Sequence, residues 1–522
     1  MSGKMSERVG TPAAPSPSAV EPVPPSTAEG TSSSPLNRWL TALRRPSSAA
    51  LIVVALTMLG AALRFGTLNV QSIWLDESAT LVLVHRGFSG MLSNLSASES
   101  APPLYYVLVW AWTKVLGAGP LGFRSFSALV GTITIPVFYL AGRQVSRRVG
   151  VWAAVLAAVN PAMYYYSQEA RAYALLILLS AVAYLFWQRA LREPSGRRLA
   201  LWALVSALAL LTHYFAAFLF FPEALILTRR LGWRRTWAPI GAVALVGLAL
   251  LPLAASQIER GKAQWIEEAS LPSRVTETAK LFFVGVYGPL EIVSALLAAL
   301  LAVAALALLL RRGGGPERRG ARDAALVLLV AFAVPLLLAA THLVDVYDGR
   351  NVIANWVPFA ILIACALGIA RARRYTAPLG AAIVAISLGA IAAINLIPAY
   401  QRDDWRSAAR ALASPPVTRA IVTEPNSFLP LSIYLGGLRL TSASTVSTRE
   451  LAFVALRVRH SASAPSPAVV PSSGPPGFRL AGVTRSETFA VARFVAARGT
   501  TVSTRALRRI AHDSTAEVII QR

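Results

Sequence analysis

The chain has 522 residues, 55% of them hydrophobic and 14% charged, with a mean hydropathy of +0.54. A soluble domain carries roughly a quarter charged residues, so a single soluble globule is excluded. Basic residues outnumber acidic ones 50 to 25, giving +25, and all of them except Lys4, Lys114, Lys262 and Lys280 are arginine. The one cysteine, Cys365, falls in an apolar run, which excludes an intramolecular disulfide and a cysteine-based metal or iron–sulfur centre.

Residues 1–46 begin with a Pro/Ser-rich stretch that lacks the apolar surface needed to offset ordering entropy, and they read as a disordered tail. The first apolar run starts near Ala49, behind Arg44 and Arg45, too far along for a secretory signal, so the tail is expected to be cytoplasmic. Apolar runs then lie at about 49–66, 121–142, 150–166, 171–190, 199–212, 213–228, 236–256, 281–310, 324–341, 352–370 and 376–397. Several are long enough to cross a bilayer, and together they give eleven predicted spans. Arginines fill alternate connections: Arg44–Arg45, Arg143–Arg148, Arg189–Arg198, Arg229–Arg235, Arg311–Arg322 and Arg371–Arg374. Short arginine-rich loops stay in the cytoplasm. Acids of the intervening loops, among them Asp76, Glu77, Glu99, Glu169 and Asp348, are therefore expected on the opposite side. The charge surplus is a topological signal spread over six loops and not one basic stripe, which argues against nucleic-acid binding. Pro102–Leu116 is apolar but short, and counting it as a span would reverse the Arg143–Arg148 loop, so it reads as an interfacial or re-entrant helix.

The expected architecture is an α-helical polytopic membrane domain over 47–398, with a first external loop at 67–120, followed by an extracytoplasmic α/β domain over 399–522. Short β-type runs at Ala420–Thr423, Ala452–Val458 and Phe489–Val495, with Pro and Ser punctuating 461–476, carry the last expectation.

Four features carry candidate chemistry. Ile73–Ser78 reads I-W-L-D-E-S, with Asp76 and Glu77 adjacent, and Trp74 is an interfacial anchor that would hold a carboxylate at headgroup depth. A carboxylate there suits a general base acting on an acceptor hydroxyl. Tyr164–Tyr173 reads Y-Y-Y-S-Q-E-A-R-A-Y on a tight turn between spans. The bland reading is an aromatic belt with a local ion pair, but charge beside the membrane is costly and usually functional. Arg171 offers a planar fork for phosphate. Three roles are open to Glu169: orienting Arg171, binding a sugar hydroxyl, or helping to hold a metal. Thr212-His213-Tyr214-Phe215 lies in the middle of a long apolar stretch, where a lone histidine is more often packed than a ligand. Tyr347–Asn351 puts Arg350 on the same side as Arg171, and two converging arginines would make a phosphate clamp. No phosphate loop of the Gly-x-x-x-x-Gly-Lys-Ser/Thr type occurs, so the substrate is expected to arrive already activated on a lipid carrier.

W-L-D-E-S at 74–78, A-P-P-L-Y-Y at 101–106, G-F-R-S-F-S-A-L at 122–129, Y-S-Q-E-A-R-A-Y at 166–173, H-Y-F at 213–215 and R-D-D-W-R-S-A-A at 402–409 together resemble bacterial glycosyltransferase family 39. That family includes relatives of protein O-mannosyltransferases and of the lipid A aminoarabinose transferase, with the GT-C membrane fold. The resemblance covers roughly 50–410 and implies a bundle of about eleven transmembrane helices with interfacial helices in the first external loop. It implies inverting transfer of a monosaccharide from a polyprenyl-phosphate sugar to a protein, lipid or envelope-glycan acceptor at the outer face of a bacterial plasma membrane. It implies that Asp76 takes the place of the first-loop catalytic carboxylate with Glu77 its neighbour, that Glu169 is the second external acid, and that Arg171 contacts the donor phosphate. From their positions, Arg350 is expected to join Arg171 at the phosphate, and Tyr173, His213 and Tyr214 to contact substrate. Ala101 departs from the pattern, since many relatives carry His there. Some GT-C enzymes use a divalent metal; the sequence has no compact ligand set, and the question stays open. The main alternative class is a transporter or flippase of a lipid-linked or envelope substrate. Against it stand the absence of repeated halves in the sequence and the clustering of the candidate charges at one face.

Overall fold

Each of the eleven apolar runs becomes one or more helices. In this computed structural model the described residues are 10, 47–261, 266, 268–413, 415, 417–457 and 468–522. The chain divides into Met1–Ser47 and Ser48–Arg522, and every helix and strand among the described residues belongs to the second unit. The predicted tail at 1–46 lies, Gly10 apart, outside the described residues, as does 461–467 of the Pro/Ser stretch.

The membrane part contains α1 (Ser48–Gly66), α2 (Leu75–Val84), α3 (Phe88–Ser98), α4 (Leu104–Leu116), α5 (Pro120–Arg143), α6 (Arg147–Val159), α7 (Pro161–Ser167), α8 (Tyr173–Arg192), α9 (Gly196–Thr212) and α10 (Ala216–Leu231). It continues with α11 (Trp233–Glu259), α12 (Leu271–Val284), α13 (Glu291–Arg312), α14 (Gly315–Ala340), α15 (Trp356–Leu367) and α16 (Arg373–Leu396). Among the described residues seven helices are long and apolar enough to cross a membrane, namely α1, α5, α8, α11, α13, α14 and the one formed by Ala370–Leu396. The shorter α6, α9, α10 and α15 occupy the remaining four predicted runs. This is a multi-pass membrane protein.

Local chemistry sets the breaks. The 150–166 run splits at Asn160-Pro161: the Asn160 side chain accepts the N–H groups of Ala162 and Met163, and Pro161 supplies a pre-set first helical residue. Arg64 of α1, fully buried, donates to the α6 carbonyls of Ala157 (2.9 Å) and Ala158 (3.1 Å) and to Ser167 Oγ (3.0 Å), satisfying the acceptors this break frees. Where α5 meets α6, a Cβ on Gly142 would lie 2.8 Å from Gly150 Cα, a close approach that only small residues permit. The predicted short apolar helix is α4, and it buries Tyr105, Tyr106 and Val109.

The C-terminal part contains α17 (Trp405–Leu412), α18 (Phe428–Tyr434), α19 (Thr504–Ile510) and a six-stranded sheet. Its strands are β1 (Arg419–Thr423), β2 (Leu438–Leu440), β3 (Thr445–Leu456), β4 (Arg479–Arg485), β5 (Phe489–Ser503) and β6 (Glu517–Gln521), in the order β2-β6-β1-β3-β5-β4. β1 and β3 are parallel and the other neighbours antiparallel. Alternation sorts the two faces: Ala420 and Val422 join the core that holds Leu507 of α19, while Ile421 joins the one holding Trp405, Leu412 and Leu431 of α17 and α18. The three predicted β runs match β1, β3 and β5, apart from Arg457, which lies just past the end of β3, and Val458, which is outside the described residues.

Candidate active site

The loop between α1 and α2 is organised by Arg124 of α5. Its guanidinium is almost fully buried and donates to the carbonyls of Leu68 (3.2 Å), Gln71 (2.8 Å) and Ser72 (2.7 Å) and to Glu77 Oε1 (2.7 Å). Glu77, in the first turn of α2 and fully buried, also accepts the Ala170 N–H (3.0 Å) and has Arg402 at 3.6 Å. Burial opposes its ionisation, but Arg124, Arg402 and that N–H outweigh it and hold the carboxyl below the usual range. Glu77 is therefore a buried structural junction between α2, α5 and the 168–172 turn.

Asp76, one residue earlier, points elsewhere. Its Oδ2 accepts from Arg350 Nη1 at 3.0 Å, and Arg350 also lies 3.5 Å from Asp348. Burial works against the Arg350 charge, but Tyr173, Asp76 and Asp348 keep the guanidinium strongly protonated. Arg171 turns to a third acid: it pairs with Glu99 and donates to Thr80 Oγ1 (3.0 Å), while Thr80 donates to Glu99 (2.6 Å). The two predicted phosphate arginines thus have different surroundings, with Arg350 on the wall of a cavity and Arg171 engaged with Glu99 and Thr80.

That cavity has a volume of about 460 Å³. The bundle contributes Trp74, Tyr165, Tyr166, Glu169, Tyr173, Lys280, Tyr287 and Arg350, and the C-terminal part contributes Arg402, Asp403, Glu424 and Arg457. Arg402, 5% exposed, lies over the Tyr165 ring at 4.2 Å and 3.9 Å from Glu169 Oε2. Three buried polar atoms of lining residues, Glu169 Oε2, Trp74 Nε1 and Arg402 Nε, have no hydrogen-bond partner among the described residues. Burial pushes the Glu169 carboxyl up to about 7; Arg402 opposes this, and Glu77 and Asp76 add to it.

Of the predicted substrate contacts, Tyr173 lines the cavity, its ring tilted against those of Tyr166 and His213 at centroid distances of 4.8 and 5.8 Å. His213 is buried behind it. Tyr214 donates to Gln257 (2.9 Å), whose amide donates to the Ala101 carbonyl. Arg124, Lys280 and Arg402 do not stand out on residue-level reading. Arg124 and Arg402 fall within the family motifs without an implied role, and Lys280 carries the signal of being one of only four lysines. Among the described residues no group of three His, Cys, Asp or Glu is arranged to hold a metal. Asp76, Glu77 and Glu169 are instead each faced by an arginine.

Residues 100–257 match the family model of dolichyl-phosphate-mannose-protein mannosyltransferases. Among solved structures, the chain is similar to ArnT from Cupriavidus metallidurans in the apo state, with 14% identity, a TM-score of 0.50, and coverage of 74% of this chain and 85% of that one. It is also similar to ArnT from the same organism bound to undecaprenyl phosphate, with 12% identity, a TM-score of 0.51, and coverage of 86% and 99%. No curated protein sequence is a significant match. The fold is the GT-C type seen in ArnT, and residues 100–257 of the chain resemble the mannosyltransferase family within it. The resemblance to family 39 drawn from the motifs is borne out to that level.

Proposed function

We propose that this protein transfers a monosaccharide from a polyprenyl-phosphate sugar to a hydroxyl of a protein, lipid or envelope-glycan acceptor, with inversion, at the extracytoplasmic face of a bacterial plasma membrane. In this reading the N-terminus is cytoplasmic, 47–398 is the catalytic membrane domain and 399–522 is extracytoplasmic; the arginine-rich alternate loops support that orientation. The observation that carries the proposal is the Asp76–Arg350 pair at 3.0 Å beside an aromatic-walled cavity that also presents Lys280 and Arg402.

The chemistry follows from charge. The acceptor oxygen attacks the anomeric carbon, the bond from that carbon to the phosphate oxygen breaks, and the acceptor proton passes to the Asp76 carboxylate. Negative charge grows on the departing phosphate, so a cation facing it contributes more in the transition state than in the ground state. Arg350 is suited to shift from Asp76 toward that phosphate, which frees the carboxylate as a base. Arg171 stiffens the site through Glu99 and Thr80. Tyr173 supplies a sugar-stacking wall with His213 behind it, and Tyr214 steadies the Ala101 loop through Gln257.

Glu169 sets the pH dependence. A carboxyl raised to about 7 is neutral below that pH and anionic above it. Anionic Glu169 would share a low-dielectric cavity with the donor phosphate, so donor KM should rise between about pH 6 and pH 8. Glu169→Gln should flatten that rise, as measured by donor KM across the interval. The proposal itself is tested by supplying radiolabelled polyprenyl-phosphate hexoses and pentoses to membranes with and without the protein. Protein-dependent transfer of label from at least one donor is expected, and none from any of them, with the protein folded, would refute it.

A further inference from the structure

Asp76 belongs to a helix whose start carries no side-chain cap. Trp74, the residue before α2, is extended and its side chain accepts nothing from the first turn, so the start of α2 is placed by the Glu77 junction and by what holds the preceding loop, 68–73. Arg124 holds that loop from the bundle side through three carbonyls. The other side is held by the C-terminal part. The Ile73 N–H, on a fully buried residue, donates to Tyr434 Oη of α18 at 2.7 Å, and Ser72 Oγ donates to the same oxygen at 3.3 Å. Ser72 Oγ in turn accepts the Arg406 N–H (2.8 Å) at the start of α17. The Arg406 guanidinium donates to the Asn69 carbonyl (2.9 Å), Asn69 Oδ1 (3.0 Å) and the Gln71 carbonyl (3.1 Å), and the Arg402 N–H donates to Gln71 Oε1 (3.1 Å).

We infer that Tyr434, with Arg406, is a positioning residue for the reaction: the C-terminal domain clamps the 69–73 loop and thereby aims Trp74 and Asp76 at the cavity. The inference rests on the reading of Asp76 as the base. The physical case is that Ile73 precedes Asp76 by three residues, so its N–H fixes the backbone from which Asp76 projects. A buried N–H that loses its acceptor is costly, and the loop would move to find another. Misplacing a catalytic group by about 1 Å is enough to cost on the order of a hundredfold in rate. The phenol ring contributes packing separately, against the α17–α18 core, so removing only the hydroxyl leaves that packing in place.

The test uses the full chain in detergent or nanodiscs. Tyr434→Phe removes the acceptor and keeps the ring; Arg406→Gln weakens the same loop from its exposed side and guards against a folding failure of the first variant. Three quantities are measured: the Tm, amide hydrogen exchange of peptides covering 68–74, and kcat and KM for whichever labelled polyprenyl-phosphate hexose or pentose the wild type transfers. The expected result is faster exchange at 68–74, an unchanged Tm, a kcat lowered at least about tenfold and a donor KM within about twofold of wild type. Wild-type kcat in both variants, unchanged exchange at 68–74, or a kcat loss that tracks a lowered Tm would each overturn the positioning role. Asp76→Asn, run in parallel, separates the two readings. Full transfer by that variant, or no wild-type transfer from any donor, refutes the reading of Asp76 on which this inference rests; a dead Asp76→Asn beside a fully active Tyr434→Phe refutes the clamp alone.

Discussion

Replacing Glu77 by alanine is expected to cost about 3–5 kcal/mol, because it leaves the Arg124 guanidinium, and Arg402 beside it, buried without their shared carboxylate. Against a total stability on the order of 5–15 kcal/mol, that is enough to remove most folded protein. The yield of monodisperse solubilised protein and its Tm are the readouts. Glu77→Gln keeps the shape and one acceptor oxygen, so it should fold with a lowered Tm. Transfer activity in that variant then weighs a catalytic role for Glu77 against its place as a structural junction. A Glu77→Ala protein melting like the wild type would contradict the junction.

Arg350→Ala is expected to lower kcat/KM for the donor by about 10²–10³, the range for loss of one preorganised group facing developing charge. Arg350→Lys should recover only part of this. An ammonium is a point charge and cannot face both the Asp76 carboxylate and a phosphate with a planar fork. The comparison is made by donor titration at matched expression, and wild-type kcat/KM in Arg350→Ala would remove the arginine from the reaction.

Much of the fold is legible in the sequence because hydropathy acts locally. The membrane runs announce themselves over some twenty residues, and arginine in alternate loops fixes an expected orientation without any tertiary information. The 150–166 run reads as one span because its apolar character is continuous across Asn160, whereas the break comes from a cap and a proline that hydropathy does not register. The site is legible one residue at a time and not in its pairings. Asp76 and Arg350 stand 274 positions apart, and Glu77 and Arg124 stand 47 apart. Adjacent Asp76 and Glu77 look equivalent in a string, but a helical turn sends one to Arg350 on the cavity wall and the other into the packed junction. For the same reason Arg171 and Arg350 both read as phosphate ligands, although only the fold brings Glu99 to the first. Arg402 falls within a family motif, yet its place over Tyr165 depends on the chain returning from the far end of α16.

The most direct test of the account is transfer of radiolabelled sugar from a polyprenyl-phosphate donor by purified wild type and Asp76→Asn at equal folded concentration. Robust transfer by the wild type is expected, with a kcat reduced by about 10²–10⁴ in the variant and donor binding retained. Equal turnover by both proteins would contradict the assignment of Asp76 as the base that accepts the proton.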